Sequence, residues 1–212
     1  MSELTKGGIF VGLVKSIILA ALLIGIIELT MQPTGLSVFY TEIFALTLIF
    51  WLFWFDVGSV SAVFNISNHA DFNWTTGYIV LIPTLLCNGL ALTFFLFDIQ
   101  ASNVSLSKEQ FFQLLISAVF IMPLLEELIF RQITPQILHA HFKIKHWLVV
   151  AICSALFAVS HLSFDILWFS YFFVMGLSFH YVRDSSGSLI LAFLSHAILN
   201  LSIIILDMIF FS

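Results

Sequence analysis

Gln110-Phe-Phe-Gln-Leu-Leu-Ile-Ser-Ala-Val-Phe-Ile-Met-Pro-Leu-Leu-Glu-Glu-Leu-Ile-Phe130 is predominantly apolar and uncharged until its last turns, where Glu126 and Glu127 stand side by side. A helix rises about 1.5 Å per residue, so about 20 apolar residues cross roughly 30 Å of hydrocarbon. The stretch therefore predicts a membrane-spanning helix whose end carries groups that hydrocarbon rejects. Outward from it, comparable runs occupy Ile9–Leu29, Val38–Val57, Gly77–Phe97, His146–Ser163, Ile166–Tyr181 and Ser188–Phe211. The sixth span is short enough to be tilted or partly re-entrant, and the last is long enough to be two broken pieces. The expected fold is an all-α polytopic transmembrane helix bundle of about seven spans, with six to eight as the range.

Composition leads to the same class. Hydrophobic residues make up 61% of the 212 residues and charged residues 9%, against about 45–50% and about 25% in soluble proteins. With 25 Phe and 5 Trp, the chain has too little polar surface to coat a water-soluble globule. Soluble enzymes, nucleic-acid binders and disordered chains are thereby excluded. The net charge of −5 is spread thinly, and no basic run of the kind that binds nucleic acid or anionic lipid occurs. Cys87 and Cys153 lie inside apolar runs, as small buried hydrophobes would, and form no CxxC site. The run after Lys6 has no clear cleavage site and is expected to be an uncleaved first span.

Cytoplasmic loops retain Lys and Arg. With the N-terminus inside, Lys6, Lys143, Lys145 and Arg183 fall on the cytoplasmic side and Lys108 outside. Lys15, inside the first span, would snorkel toward the same face. That orientation makes the Gln132–Lys145 connection a cytoplasmic loop holding His139 and His141, with His146 at its end.

Ionisable groups at membrane depth are functional candidates by default, because they are costly there. Pro123-Leu-Leu-Glu126-Glu127-Leu-Ile-Phe-Arg131 is the strongest cluster. Glu127 and Arg131, four apart, share a helical face and would pair. Glu126 is turned about 100° away and left available for chemistry. In Phe157-Ala-Val-Ser-His161 the same spacing sets an aromatic wall beside an imidazole, and in His196-Ala-Ile-Leu-Asn200 it aligns two polar side chains. Each patch alone could be a helix–helix contact. One polar cavity would satisfy all three.

The ordered set E-E-x-x-x-R, F-x-x-x-H and H-x-x-x-N on successive membrane helices resembles the CPBP family. That family comprises the type II CAAX prenyl endopeptidases and the bacterial bacteriocin-processing or self-immunity proteins, also called the Abi family. The motif positions are Glu126, Glu127, Arg131, Phe157, His161, His196 and Asn200. The resemblance covers about Phe111 to Ser202, so residues 109–212 are the expected catalytic helices and residues 1–108 carry no assigned motif. It implies an intramembrane endopeptidase in which Glu126 and His161 hold and activate the attacking water. His196 and Asn200 would polarise the scissile carbonyl and stabilise the oxyanion, and Glu127 and Arg131 would tune Glu126. Implied substrates are a prenylated CaaX protein or a leader peptide, acted on among membrane lipid; the compact chain leads to the expectation of a bacterial plasma membrane, and the Lys and Arg pattern puts the site toward the cytoplasm.

Elementary chemistry agrees in outline. Hydrolysis needs a base, oxyanion donors and an acid for the leaving amine, and a carboxylate in a poorly solvated site suits both proton roles. Zinc is an alternative, with Glu126, His161 and His196 as a three-ligand set plus water, although no HExxH occurs. A metal-free water-activating site stands beside it on equal terms. Other readings are weaker. Gly176-Leu-Ser178 is a bare G-x-S; Asp98, Asp165 and Asp207 sit near span ends, where an aspartyl protease would want them inside. A proton-coupled relay through Glu126, His161 and His196 lacks repeat halves. A non-catalytic immunity protein or scaffold would not need the full polar set. Asn88, after Pro83, is expected to meet neighbouring helices or line the cavity.

Overall fold

Thr84, Cys87 and Ala91 fall at i, i+3 and i+7 along one helix, the repeat of a single face. In the computed structural model that face is buried, while Leu81, Ile82, Leu85 and Leu86 on the opposite side are exposed. The described residues are 14–15, 18, 74–97, 108–161 and 165–211, and every regular element among them is helical. The expected spans Ile9–Leu29 and Val38–Val57 lie almost wholly outside the described residues. The Thr84 face belongs to α1 (Trp74–Phe97), which coincides with the third expected span.

The next element is one long rod built from five pieces. They are α2 (Lys108–Ile116), a wide-turn segment π1 (Ser117–Ile121), α3 (Met122–Glu127), a second wide-turn segment π2 (Leu128–Ile133) and α4 (Thr134–Phe142). Every junction from Ile116 to Thr134 keeps right-handed helical backbone angles, so the rod is unbroken there. The two wide turns have a common cause. Proline lacks an N–H and its ring crowds the carbonyl four residues back. Pro123 and Pro135 stand at the starts of α3 and α4, just after π1 and π2. The helix slips to i→i−5 bonds before each proline: Met122 N–H reaches the Ser117 carbonyl, and Thr134 N–H reaches the Ile129 carbonyl.

This corrects the expected loop over Gln132–Lys145. The chain stays helical to Phe142, and His139 and His141 lie on α4. The helix stops where Lys143 adopts a left-handed conformation (φ 52°), its N–H returning to the His139 carbonyl at 3.2 Å.

α5 (His146–Ser160) ends shortly before the expected Ser163, and α6 (Ile166–Ser186) extends the short sixth run by a turn and more. Its start is capped by Asp165, whose carboxylate accepts from the Leu167 N–H at 2.7 Å, and its end by left-handed Gly187. α7 (Leu189–Phe211) is a single helix, not two pieces. Along it Ala192, Ser195, His196 and Leu199 are buried, while Leu194, Ile198, Leu201 and Ile205 are exposed.

Polar and charged side chains are thus buried within the apolar core while the outer surface is rich in large apolar ones. Glu127, Arg131, Ser154, Ser195 and His196 are inside and large apolar side chains are outside, as a bilayer requires. By length and composition, Phe111–Phe142 and Leu189–Leu206 are each able to cross a membrane. α1 shares one core with the motif helices, since Cys87 and Ala91 pack with Leu125, Phe130, Phe157 and Phe179. It is also tied to α7 by a buried Thr84–Ser195 hydroxyl pair at 2.6 Å. Ser195→Ala is expected to lower stability by about 1 kcal/mol, in line with interhelical polar contacts in lipid, read by thermal unfolding in detergent.

His146 Nε2 meets Asp184 Oδ2 at 2.9 Å, joining the start of α5 to the end of α6. His139 stacks on His146, so these histidines are fixed at a helix junction, not loose in a loop. Lys143, Lys145 and Arg183 therefore share one end of the bundle, and Lys108 begins the rod roughly 50 Å from its other end.

Candidate active site

Glu127 and Arg131 meet as their spacing predicts, with Arg131 Nε 3.3 Å from Glu127 Oε2 and both side chains fully buried. A buried guanidinium needs more than one partner. Its Nη2 donates to the Gly176 carbonyl at 3.4 Å, and its plane lies among the rings of Phe157 (4.5 Å), Phe179 (5.3 Å) and Phe130 (5.9 Å). Cation–π contact of this kind strengthens when water is excluded.

His196 lies between the two carboxylates. Its Nδ1 is 3.0 Å from Glu127 Oε1 and its Nε2 is 3.5 Å from Glu126 Oε2. Glu126 is thus not turned away from the Glu127 cluster, because one imidazole spans both acids. Its side chain keeps 15% exposure where that of Glu127 keeps none. Glu127, anchored by Arg131, orients the ring by accepting from Nδ1, which leaves Nε2 facing Glu126.

His161 closes α5. Its Nδ1 donates to the Phe157 carbonyl at 2.8 Å, because a carbonyl can only accept. That fixes the tautomer and leaves the Nε2 lone pair available. The ring is held between Phe172 (centroids 3.8 Å, nearly parallel) and Phe157 (4.7 Å). Phe157 also borders His196 at 5.8 Å, so it walls both imidazoles and Arg131 together. Glu126 and His196 both lie within electrostatic reach of His161.

Asn200 Nδ2 donates to the Ala118 carbonyl at 2.8 Å. In the i→i−5 register of π1, the N–H that would reach that carbonyl belongs to residue 123, a proline. Asn200 supplies the missing donor and pins α7 to the rod. Its second amide hydrogen is a further donor.

Several members carried no signal in the sequence. Phe172 stacks on His161, and Phe179 stacks on His196 at 4.4 Å. Gly176 is required by close approach: a Cβ there would lie 2.9 Å from the Cα and Cβ of Ser154. In a chain with 25 Phe, no periodicity marks two of them as special. Other candidates fall elsewhere. Ser178 lies beside Cys87 of α1, and Asp165 is a helix cap. Asn88 is partly buried with its Oδ1 unpartnered, and Asp98 lies outside the described residues.

As arranged, Glu126, His161 and His196 do not present three open donors to one point. Both nitrogens of His196 face carboxylates, and His161 Nδ1 is bound to its own helix. Among the described residues no group of three His, Cys, Asp or Glu side chains is placed to hold a metal ion.

Residues 108–202 match the family described as type II CAAX prenyl endopeptidase Rce1-like. No curated protein and no solved structure matches the chain. That stretch contains the acid pair, Arg131, both site imidazoles and Asn200, so the part of the chain that holds the site is the part similar to the type II CAAX prenyl endopeptidases.

Proposed function

We propose that the chain is an intramembrane endopeptidase hydrolysing a peptide bond of a prenylated, CaaX-type or leader-peptide substrate. We place it in a bacterial plasma membrane, as about seven spans with the N-terminus and the site toward the cytoplasm. Residues 109–212 carry the chemistry. The observation that supports it most is the bridge of His196 to Glu126 and Glu127 beside the Phe157 ring that also walls His161. Lys143, Lys145 and Arg183 at one end of the bundle support the orientation.

The charges suggest how the site rests. Glu126, Glu127 and Arg131 sum to one negative charge in a medium that penalises it. One proton shared by Glu126 Oε2 and His196 Nε2 brings the sum to zero and makes the 3.5 Å approach attractive. Lodged on His196, that proton leaves Glu126 a carboxylate.

A water held between Glu126 and His161 Nε2 gives its proton to Glu126 while its oxygen bonds to the scissile carbonyl carbon. The carbonyl oxygen gains charge and takes donors from His196 Nε2–H and the second Asn200 amide hydrogen. The intermediate collapses as the carbon–nitrogen bond breaks. Glu126 returns its proton to the leaving amine, giving a new carboxylic acid, which keeps the water's second hydrogen, and a new amine. No step is routed through a metal, because the side chains do not form a ligand set.

The test uses purified full-length protein with a fluorogenic prenylated peptide and a panel of leader peptides. Cleavage by the wild type is expected, abolished in His161→Ala and unaffected by phenanthroline. Asn200→Ala is expected to lower kcat about 10²-fold, the effect of losing one oxyanion donor. Chelator loss reversed by zinc would replace the metal-free step. Absence of any cleaved peptide, together with pH-dependent ion flux in liposomes, would overturn the function.

A further inference from the structure

α6 carries none of the motif positions, yet one of its faces touches three residues that are among them. That face runs Trp168, Phe172, Gly176 and Phe179, at i, i+4, i+8 and i+11. Phe172 lies flat on His161, with centroids 3.8 Å apart and planes 22° apart. Two turns on, Phe179 lies flat on His196 at 4.4 Å and 19°. Between them the Gly176 carbonyl accepts from Arg131 Nη2 at 3.4 Å. The three contacts reach three different elements: the end of α5, α7 and π2. Gly176 lets the face come this close, since a Cβ there would sit 2.9 Å from the Cα and Cβ of Ser154 on α5.

Why the imidazoles need a flat neighbour follows from their torsions. The second side-chain torsion of histidine joins sp³ to sp² carbon and has only broad preferences, so surrounding groups must set the ring plane. The bond from His161 Nδ1 to the Phe157 carbonyl at 2.8 Å fixes one corner of that ring and leaves a hinge there. Swinging about it would carry Nε2, the atom assigned to the water, through an arc. His196 is held at both nitrogens, at 3.0 and 3.5 Å, which leaves a tilt about the line joining them. A phenyl face pressed on the ring stops either motion. Phe157 meets the two imidazoles at steep angles, 58° and 71°, so it bounds them without setting their planes. Phe172 is itself backed by Trp168, 6.0 Å away and 28° from parallel, which completes a stack of three rings.

We propose that Phe172 and Phe179 are positioning residues for the hydrolysis argued above, setting the ring planes of His161 and His196 from a helix with no reacting group of its own. Seven residues apart on one helix, they also fix the two planes relative to each other. The catalytic consequence rests on the proposed protease function. The orientation of the rings does not.

The test uses the full chain. Phe172→Leu keeps an apolar side chain and loses the flat face. It is expected to lower kcat about 10–100-fold, the scale of a small misplacement, with KM little changed. Phe172→Tyr keeps the face and should retain most of the rate. Phe179 is fully buried, so Phe179→Leu should cost stability as well as rate. Phe172 is only partly buried, and its variants isolate the orienting role. NMR in detergent, with the histidine rings labelled, gives a readout that needs no substrate. In the wild type the His161 ring protons should be shifted upfield by the Phe172 face, and the ring should show one tautomer with its proton on Nδ1. Phe172→Leu should mix in the second tautomer while the protein stays folded. A purely structural role predicts a lower unfolding temperature with kcat and tautomer unchanged, and that result would overturn the inference. So would Phe172→Tyr as slow as Phe172→Leu, or a wild-type His161 ring with no upfield shift. If the wild type cleaves no peptide, the protease function fails while the ring signals still decide whether α6 sets the imidazole planes.

Discussion

Arg131→Met is expected to destabilise the protein by about 3–5 kcal/mol, because it strands the buried Glu127 carboxylate without its cation. The side chains of both partners are fully buried, so water cannot take over the lost role. The change also removes the guanidinium from among Phe130, Phe157 and Phe179 and breaks its bond to the Gly176 carbonyl. Met fills much of the volume, so a packing void contributes little. Thermal and denaturant unfolding in detergent would measure the loss. Glu127→Gln/Arg131→Met should recover a good part of it, since the double variant buries no unpaired charge. A loss below about 1 kcal/mol, the scale of an exposed pair, would show that Glu127 draws its counter-charge from elsewhere.

Glu126→Gln should do the opposite: little to stability, much to rate. Its side chain is partly exposed and its contact with His196 is long at 3.5 Å, so the amide fits the same space. It can no longer accept the water's proton or return it to the amine. The expected fall in kcat is about 10²–10⁴-fold, the usual contribution of a positioned acid–base group, with KM nearly unchanged. Retention of most of the wild-type rate would remove Glu126 from the chemistry.

The i, i+4 patterns survived folding because they are local. Glu127–Arg131 and Phe157–His161 are neighbours through one turn of helix, and a wide turn still leaves residues four apart close together. Side chains from different helices were legible only as an expectation that three polar patches must share one cavity. The bridge of His196 to both acids depends on the crossing of α7 over α3, which no spacing within α7 encodes. The rod's continuation past Phe130 was missed because the apolar run stops at Arg131 and Gln132. Here π1 and π2 absorb Pro123 and Pro135, and Asn200 satisfies the Ala118 carbonyl left over by the first. Gly176 was noticed only as part of a G-x-S, whereas its importance lies in the 2.9 Å approach to Ser154 on a separate helix.

The central claim is that water, activated by Glu126, attacks the peptide directly. Pre-steady-state cleavage of a prenylated peptide in oxygen-labelled water tests it. Direct attack predicts label in the new carboxylate, simultaneous appearance of both products and no burst in the wild type, with product formation slowed in Glu126→Gln and unchanged in Ser178→Ala. A burst of the amine product followed by slow release of the other fragment would mean a covalent acyl-enzyme, and would contradict it.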